Sequence, residues 1–129
     1  MKKIVVSFCL VAFAAAVIAS PALALPPFSK EWTGKYVEGN KNDAFVKAVG
    51  EAKCNVCHDA ASKSKKDKNE YGKAVGKFLT KAEFDKVKAD MEAAKKFIQD
   101  GLAKAESEKT ADGKTYGERI KAGALPSGS

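Results

Sequence analysis

Residues 54–58 read Cys54-Asn55-Val56-Cys57-His58, a C-x-x-C-H pentapeptide whose residue types and spacing suit covalent attachment of haem c. That chemistry asks for two thiols that add across the two vinyl groups on one edge of a porphyrin. Residues three apart on a helical turn share a face, and Cys54 and Cys57 have that spacing. His58 stands four residues after Cys54, so its imidazole can swing under the ring and serve as the proximal iron ligand.

Two other chemistries draw on similar residues. A thioredoxin-like redox pair also uses C-x-x-C but sits in a βαβ surround, whereas the flanks here are rich in Lys, Ala and Glu with helical periodicity. Structural zinc takes four Cys or His ligands; Cys54, Cys57 and His58 supply three, and adjacent ligands on one turn rarely close a tetrahedron. On the pentapeptide, together with an apolar leader and a mostly helical chain of suitable size, the sequence resembles the small monohaem c-type cytochromes. The resemblance implies an all-α fold, a small bundle of about four helices around one covalently bound haem c, with Cys54 and Cys57 as attachment sites and His58 on the iron. It implies electron transfer with redox proteins as partners, and no enzyme chemistry. The layout departs from class I of that family. Class I places a Gly eight residues and an aromatic four residues ahead of the first Cys, where this chain has Val46 and Gly50, with Phe45 displaced. It also lacks the Gly-Pro that follows the haem motif there, since no Pro occurs between His58 and Pro126, so the acceptor for the free N–H of His58 is unassigned.

The elements that must hold this pentapeptide can be read outward from it. Residues 1–24 begin with Lys2 and Lys3, continue as an apolar run from Ile4 to Ala19 and end on Ala22-Leu23-Ala24, the form of a secretory signal peptide cleaved before Leu25. Cys9 would leave with it, and the expected location is the periplasm. Residues 25–129 then form one haem-binding domain, too short for two. Loss of Lys2 and Lys3 takes the 23 basic residues to 21 against 16 acidic, so the formal charge falls from +7 to +5. The charges are mixed along the chain, without the one-sided basic stripe and interleaved aromatics of a nucleic-acid binder. Nucleic acid is therefore not an expected partner, and membrane association is expected only through a redox complex.

Leu25 to Asn42 carries Pro26, Pro27, Gly34 and Gly39 around Phe28, Trp32 and Tyr36, and reads as an irregular lead-in. Trp32 is either a lid packed on helices or, with Tyr36, a neighbour of the haem that bonds a propionate. Asn42 caps a helix to Lys53 with Phe45, Val46, Val49 and Ala52 on one face, which delivers the haem turn. Asp59 to Lys68 is a polar loop containing Lys63, Lys65, Lys66 and Lys68, either plainly solvated or a steering surface for an acidic redox partner. Asn69 caps a helix to Leu79 in which Gly72 and Gly76 leave a bare strip for close approach by another helix or the haem plane. Thr80 and Glu83 open the longest helix, to about Ser107, with Phe84, Val87, Met91, Ala94, Ile98 and Leu102 as its inward stripe. Thr115 and Glu118 begin a last short helix to Gly123, whose Tyr116-Gly117 echoes Tyr71-Gly72 as if two similar helices gripped a common object.

The sixth iron position sets the chemistry. His58 is the one His, so bis-histidine ligation within one chain is excluded. Met91 is the one Met of the mature chain and the candidate distal ligand, although a Met at helical spacing also serves as core filler. With Met91 on the iron the protein is an electron carrier. Without it the position is open or held by water, a Lys or another chain, and an open position points to a five-coordinate haem that binds or senses a small ligand or reduces peroxide, although the distal acid–base His usual for peroxidase chemistry is absent. A third reading is a haem subunit inside a larger redox assembly.

Overall fold

The computed structural model describes residues 26–64 and 66–128. The segment read as a signal peptide, 1–24, lies outside them. The described chain is all-α: α1 (Pro26–Tyr36), α2 (Asp43–Ala52), α3 (Glu70–Phe78), α4 (Lys81–Val87), α5 (Met91–Glu106) and α6 (Tyr116–Lys121), with one 3-10 turn, Lys53–Val56, directly after α2. These are six α-helices where about four were expected, and both additions have a local cause.

The first is α1, in place of an irregular lead-in. Pro26 and Pro27 stand in its first turn, where a helix leaves backbone N–H groups unpaired and Pro is tolerated. Phe28, Trp32 and Tyr36 recur every four residues and face α5 and α4; the Phe28 and Phe84 rings meet edge to face at 5.1 Å. Prolines that mark a helix start had the look of a loop. The second is a break in the long helix. Asp90 accepts hydrogen bonds from the backbone N–H groups of Glu92 and Ala93, both at 3.0 Å, and so caps a new helix instead of continuing the old one. The stripe survives on both sides of the break, with Phe84 buried in α4 and Ala94, Ile98 and Leu102 buried in α5. Met91 falls at the first residue of α5 and is 85% exposed, which corrects its place on the inward stripe.

The remaining helix starts follow their caps. The side chains of Asn42, Asn69, Thr80 and Thr115 accept from Phe45, Gly72, Glu83 and Glu118 respectively, and Thr115 with Glu118 closes a full capping box. Around α5, which packs on α3, α1, α4 and α6, the core gathers Phe45, Tyr71, Ile98 and Leu102 at its most enclosed points. Gly101 lets α5 close on Leu79, since a Cβ there would stand 2.2 Å from a Leu79 methyl. The two Tyr-Gly pairs turn out to face each other, with the Tyr71 and Tyr116 rings 5.1 Å apart. Among the described residues no helix is long and apolar enough to cross a membrane.

Candidate haem-attachment site

The pentapeptide begins in the 3-10 turn that continues α2. The N–H of Cys57 and that of His58 both donate to the carbonyl of Cys54, at 3.2 and 2.9 Å, so one tight turn carries both cysteines and the histidine. The entry to it is special: Lys53 holds φ +49°, the left-handed region that a non-glycine residue seldom adopts. The turn borders the core at one edge. Val56 and His58 are buried at 4% and 8% exposure, Cys57 is half-buried against the core, and Cys54 is exposed.

His58 has the acceptor that its sequence context left open. Its Nδ1 lies 3.2 Å from the backbone carbonyl of Asp67. A carbonyl only accepts, so this contact places the proton on Nδ1 and, in the neutral ring, leaves the lone pair on Nε2. That is the tautomer an iron-ligating histidine needs, with its second nitrogen held by a backbone oxygen. The same Asp67 carbonyl also accepts from the N–H of Asp59 at 3.1 Å, and His58 pairs with Lys68 in an antiparallel bridge. The segment after His58 thus closes on its own base, which brings a carbonyl nine residues away onto the imidazole.

Helix α3 closes over the turn from the other side. A Cβ at Gly72 would stand 1.9 Å from the Cys57 carbonyl oxygen, and one at Gly76 would stand 2.9 Å from Lys68 Nζ. The bare strip read in the sequence is therefore filled by the backbone of Cys57 and by the side chain of Lys68. Close approach of α3 requires Gly at 72; any larger residue would push the Cys57 carbonyl away.

The two thiols differ. Burial pushes the Cys57 thiol up to about 12, with the nearby Lys68 ammonium acting in the opposite direction. Both cysteines are free. Cys54, Cys57 and His58 do not converge on a point as ligands of a bare ion would. The donor set instead fits a haem held at its edge by two thioethers and at its centre by one imidazole, and this fit rests on the Nδ1 contact that frees Nε2.

Three other candidates read from the sequence take different places. Trp32 is a lid: its indole N–H donates to the Tyr71 hydroxyl at 2.8 Å, and the Tyr36 hydroxyl donates to Glu106 at 2.6 Å, so both polar groups are used inside the protein. Burial, and then the Glu106 bond, push the Tyr36 hydroxyl well above the usual phenol range. Met91 points to solvent and is not part of the turn's surroundings as a core residue. The residue that sequence reading passed over is Asn69. It was visible only as a helix cap, yet its side-chain amide also reaches the carbonyls of Asn55, Val56 and His58 at 2.9, 3.1 and 3.3 Å.

No protein-family model, curated protein or solved structure matches the chain.

The burial difference has a direct chemical consequence in haem-free chain. At pH 8 a thiol at about 12 is thiolate in roughly one molecule in ten thousand, and the thiolate is the nucleophile. Iodoacetamide should modify Cys54 faster than Cys57 by about tenfold or more, read by peptide mass spectrometry, with the difference abolished in denaturant. Equal rates in the folded chain would contradict the burial of Cys57.

Proposed function

We propose that this protein is an exported monohaem c-type cytochrome that carries single electrons between redox partners, with one haem c attached through Cys54 and Cys57 and His58 as proximal iron ligand. The observation that carries this reading is the Nδ1 contact of buried His58 with the Asp67 carbonyl, which leaves Nε2 free on the residue next to Cys57 and four after Cys54, both of them free cysteines. When bound, the haem supplies a reversible ferric–ferrous couple. The chain's part is to hold the imidazole, to keep its Nδ1 proton in place and to present a docking surface. Because Phe45, Tyr71, Ile98 and Leu102 already fill the interior, the haem is proposed to cover the face of the core where Cys54 is exposed, completing it at one edge.

A second reading, an open sixth position that binds or senses a small ligand, is favoured by one observation. Met91, the candidate distal ligand, is 85% exposed at the start of α5. A solvent-facing thioether is poorly placed to hold an iron that His58 approaches from within the core. The optical spectrum of the purified holoprotein, ferric and reduced, with and without carbon monoxide, decides between the two. A low-spin spectrum indifferent to carbon monoxide belongs to the carrier, with a ligand other than exposed Met91 in the sixth position, and a high-spin spectrum that shifts with carbon monoxide belongs to the open site; Met91→Ala should leave either unchanged. If the variant loses a low-spin spectrum and its weak sulfur-to-iron band in the red, Met91 is the ligand, and the protein is a six-coordinate carrier.

The lysines around the haem turn supply the docking surface in this proposal. Lys63, Lys66, Lys68 and Lys73 are all exposed, and Lys66, Lys68 and Lys73 border a shallow concavity with Asp59 and Asp67. Lys73 is bound to Glu70 at 2.6 Å, so Lys63 and Lys66 are the better steering charges. Replacing both by Glu should slow reduction by an acidic redox protein by roughly tenfold at low ionic strength, with the gap closing as salt rises. A rate that ignores both the charge reversal and the salt would remove this surface from the account.

A further inference from the structure

Asn69 makes more contacts with the haem turn than helix capping requires. Its Oδ1 accepts the Gly72 N–H at 2.8 Å, which is the cap of α3. Its Nδ2 has two hydrogens and shares them among the carbonyls of Asn55, Val56 and His58 at 2.9, 3.1 and 3.3 Å. Its backbone N–H donates to the Cys57 carbonyl at 3.1 Å. One residue therefore engages four consecutive carbonyls of the pentapeptide, from Asn55 to His58, while the same Cys57 oxygen stands 1.9 Å from where a Gly72 Cβ would be. Asn69 also ends the loop two residues after Asp67, the residue whose carbonyl holds His58 Nδ1.

We propose that Asn69, backed by Gly72, is a positioning residue that clamps the haem turn and, by fixing the end of the loop, holds the Asp67 carbonyl on the proximal histidine. This rests on the haem reading of the preceding section. Asn is suited to the task by its two ends: the oxygen caps α3 while the NH2 group binds carbonyls. Ser keeps the first function and lacks the second, and Asp keeps the first but turns a carboxylate oxygen toward carbonyl oxygens. The role differs from capping because its effect is read at the His58 ring, which belongs to no helix.

The test is exchange of the His58 Nδ1 proton with deuterium, followed by NMR on the reduced holoprotein, with carbon monoxide added where the iron must be kept low-spin. Asn69→Ser should accelerate that exchange roughly tenfold or more, with far-UV circular dichroism unchanged. Asp90→Ala, which removes the α5 cap, is the control; it should lower thermal stability and leave His58 exchange as in the wild type. Asn69→Asp provides a second arm if Asn69→Ser does not accumulate. If neither variant yields holoprotein while Asp90→Ala matures normally, the loss belongs to the clamp and not to capping. Unchanged His58 exchange in a haem-loaded Asn69→Ser overturns the proposal and leaves the haem reading intact. Wild-type protein that carries no covalent haem overturns the haem reading itself.

Discussion

The arrangement depends on one constraint: a buried imidazole has two nitrogens, and only one of them can be satisfied by the protein if the other is to meet an iron. In this chain the Asp67 carbonyl takes Nδ1. That carbonyl reaches His58 because the chain after His58 returns on itself, tied to the turn by the Asn69 N–H on the Cys57 carbonyl and by the Asp59 N–H on Asp67, with Ser62 and Ser64 bonding within the loop. A polar loop with several lysines has little burial to order it. Its order comes from backbone bonds at its base and from the Asp59, Ser62 and Ser64 side chains that bond within it, each bond worth about 1 kcal/mol net.

The rest of the fold supports that turn from behind. Helix α3 sits against it because residue 72 is Gly, and α3 is held in turn by Tyr71, which is fully buried, stacks near Tyr116 and accepts from Trp32. A line of hydrogen bonds and ring contacts thus runs from α1 through Tyr71 to α6, with Tyr36 and Glu106 joining α1 to the end of α5. Aromatic residues that looked in the sequence like possible haem neighbours serve instead as the frame. Their hydroxyl and indole groups have internal partners, and no buried side-chain polar atom among the described residues lacks one.

Local signals in the sequence were legible where the physics is local. The caps at Asn42, Asn69, Thr80 and Thr115 each appear, because a cap needs only its own side chain and the next turn. The all-α class followed from periodicity. What escaped was decided by competition or distance. Pro26 and Pro27 signal a loop and a helix start alike, and only the packing of Phe28, Trp32 and Tyr36 selects the helix. Asp90 sits in a sequence that is periodic on both sides, so its switch from helix interior to cap, which carries Met91 to the surface, is a choice between two similar local energies. The histidine acceptor was beyond reach because it is a backbone atom nine residues away. Asn69 was half legible, its cap in the sequence and its clamp only in three dimensions.

The proposed covalent haem on the pentapeptide is tested most directly by the intact mass of protein purified from a host able to mature c-type cytochromes. The expected result is a chain heavier by one haem, with the added mass on the peptide containing Cys54 to His58, resistant to acidified organic solvent and lost when Cys54 and Cys57 are replaced by Ala. A wild-type chain of unmodified mass, with both thiols free to alkylate under maturing conditions, would contradict it.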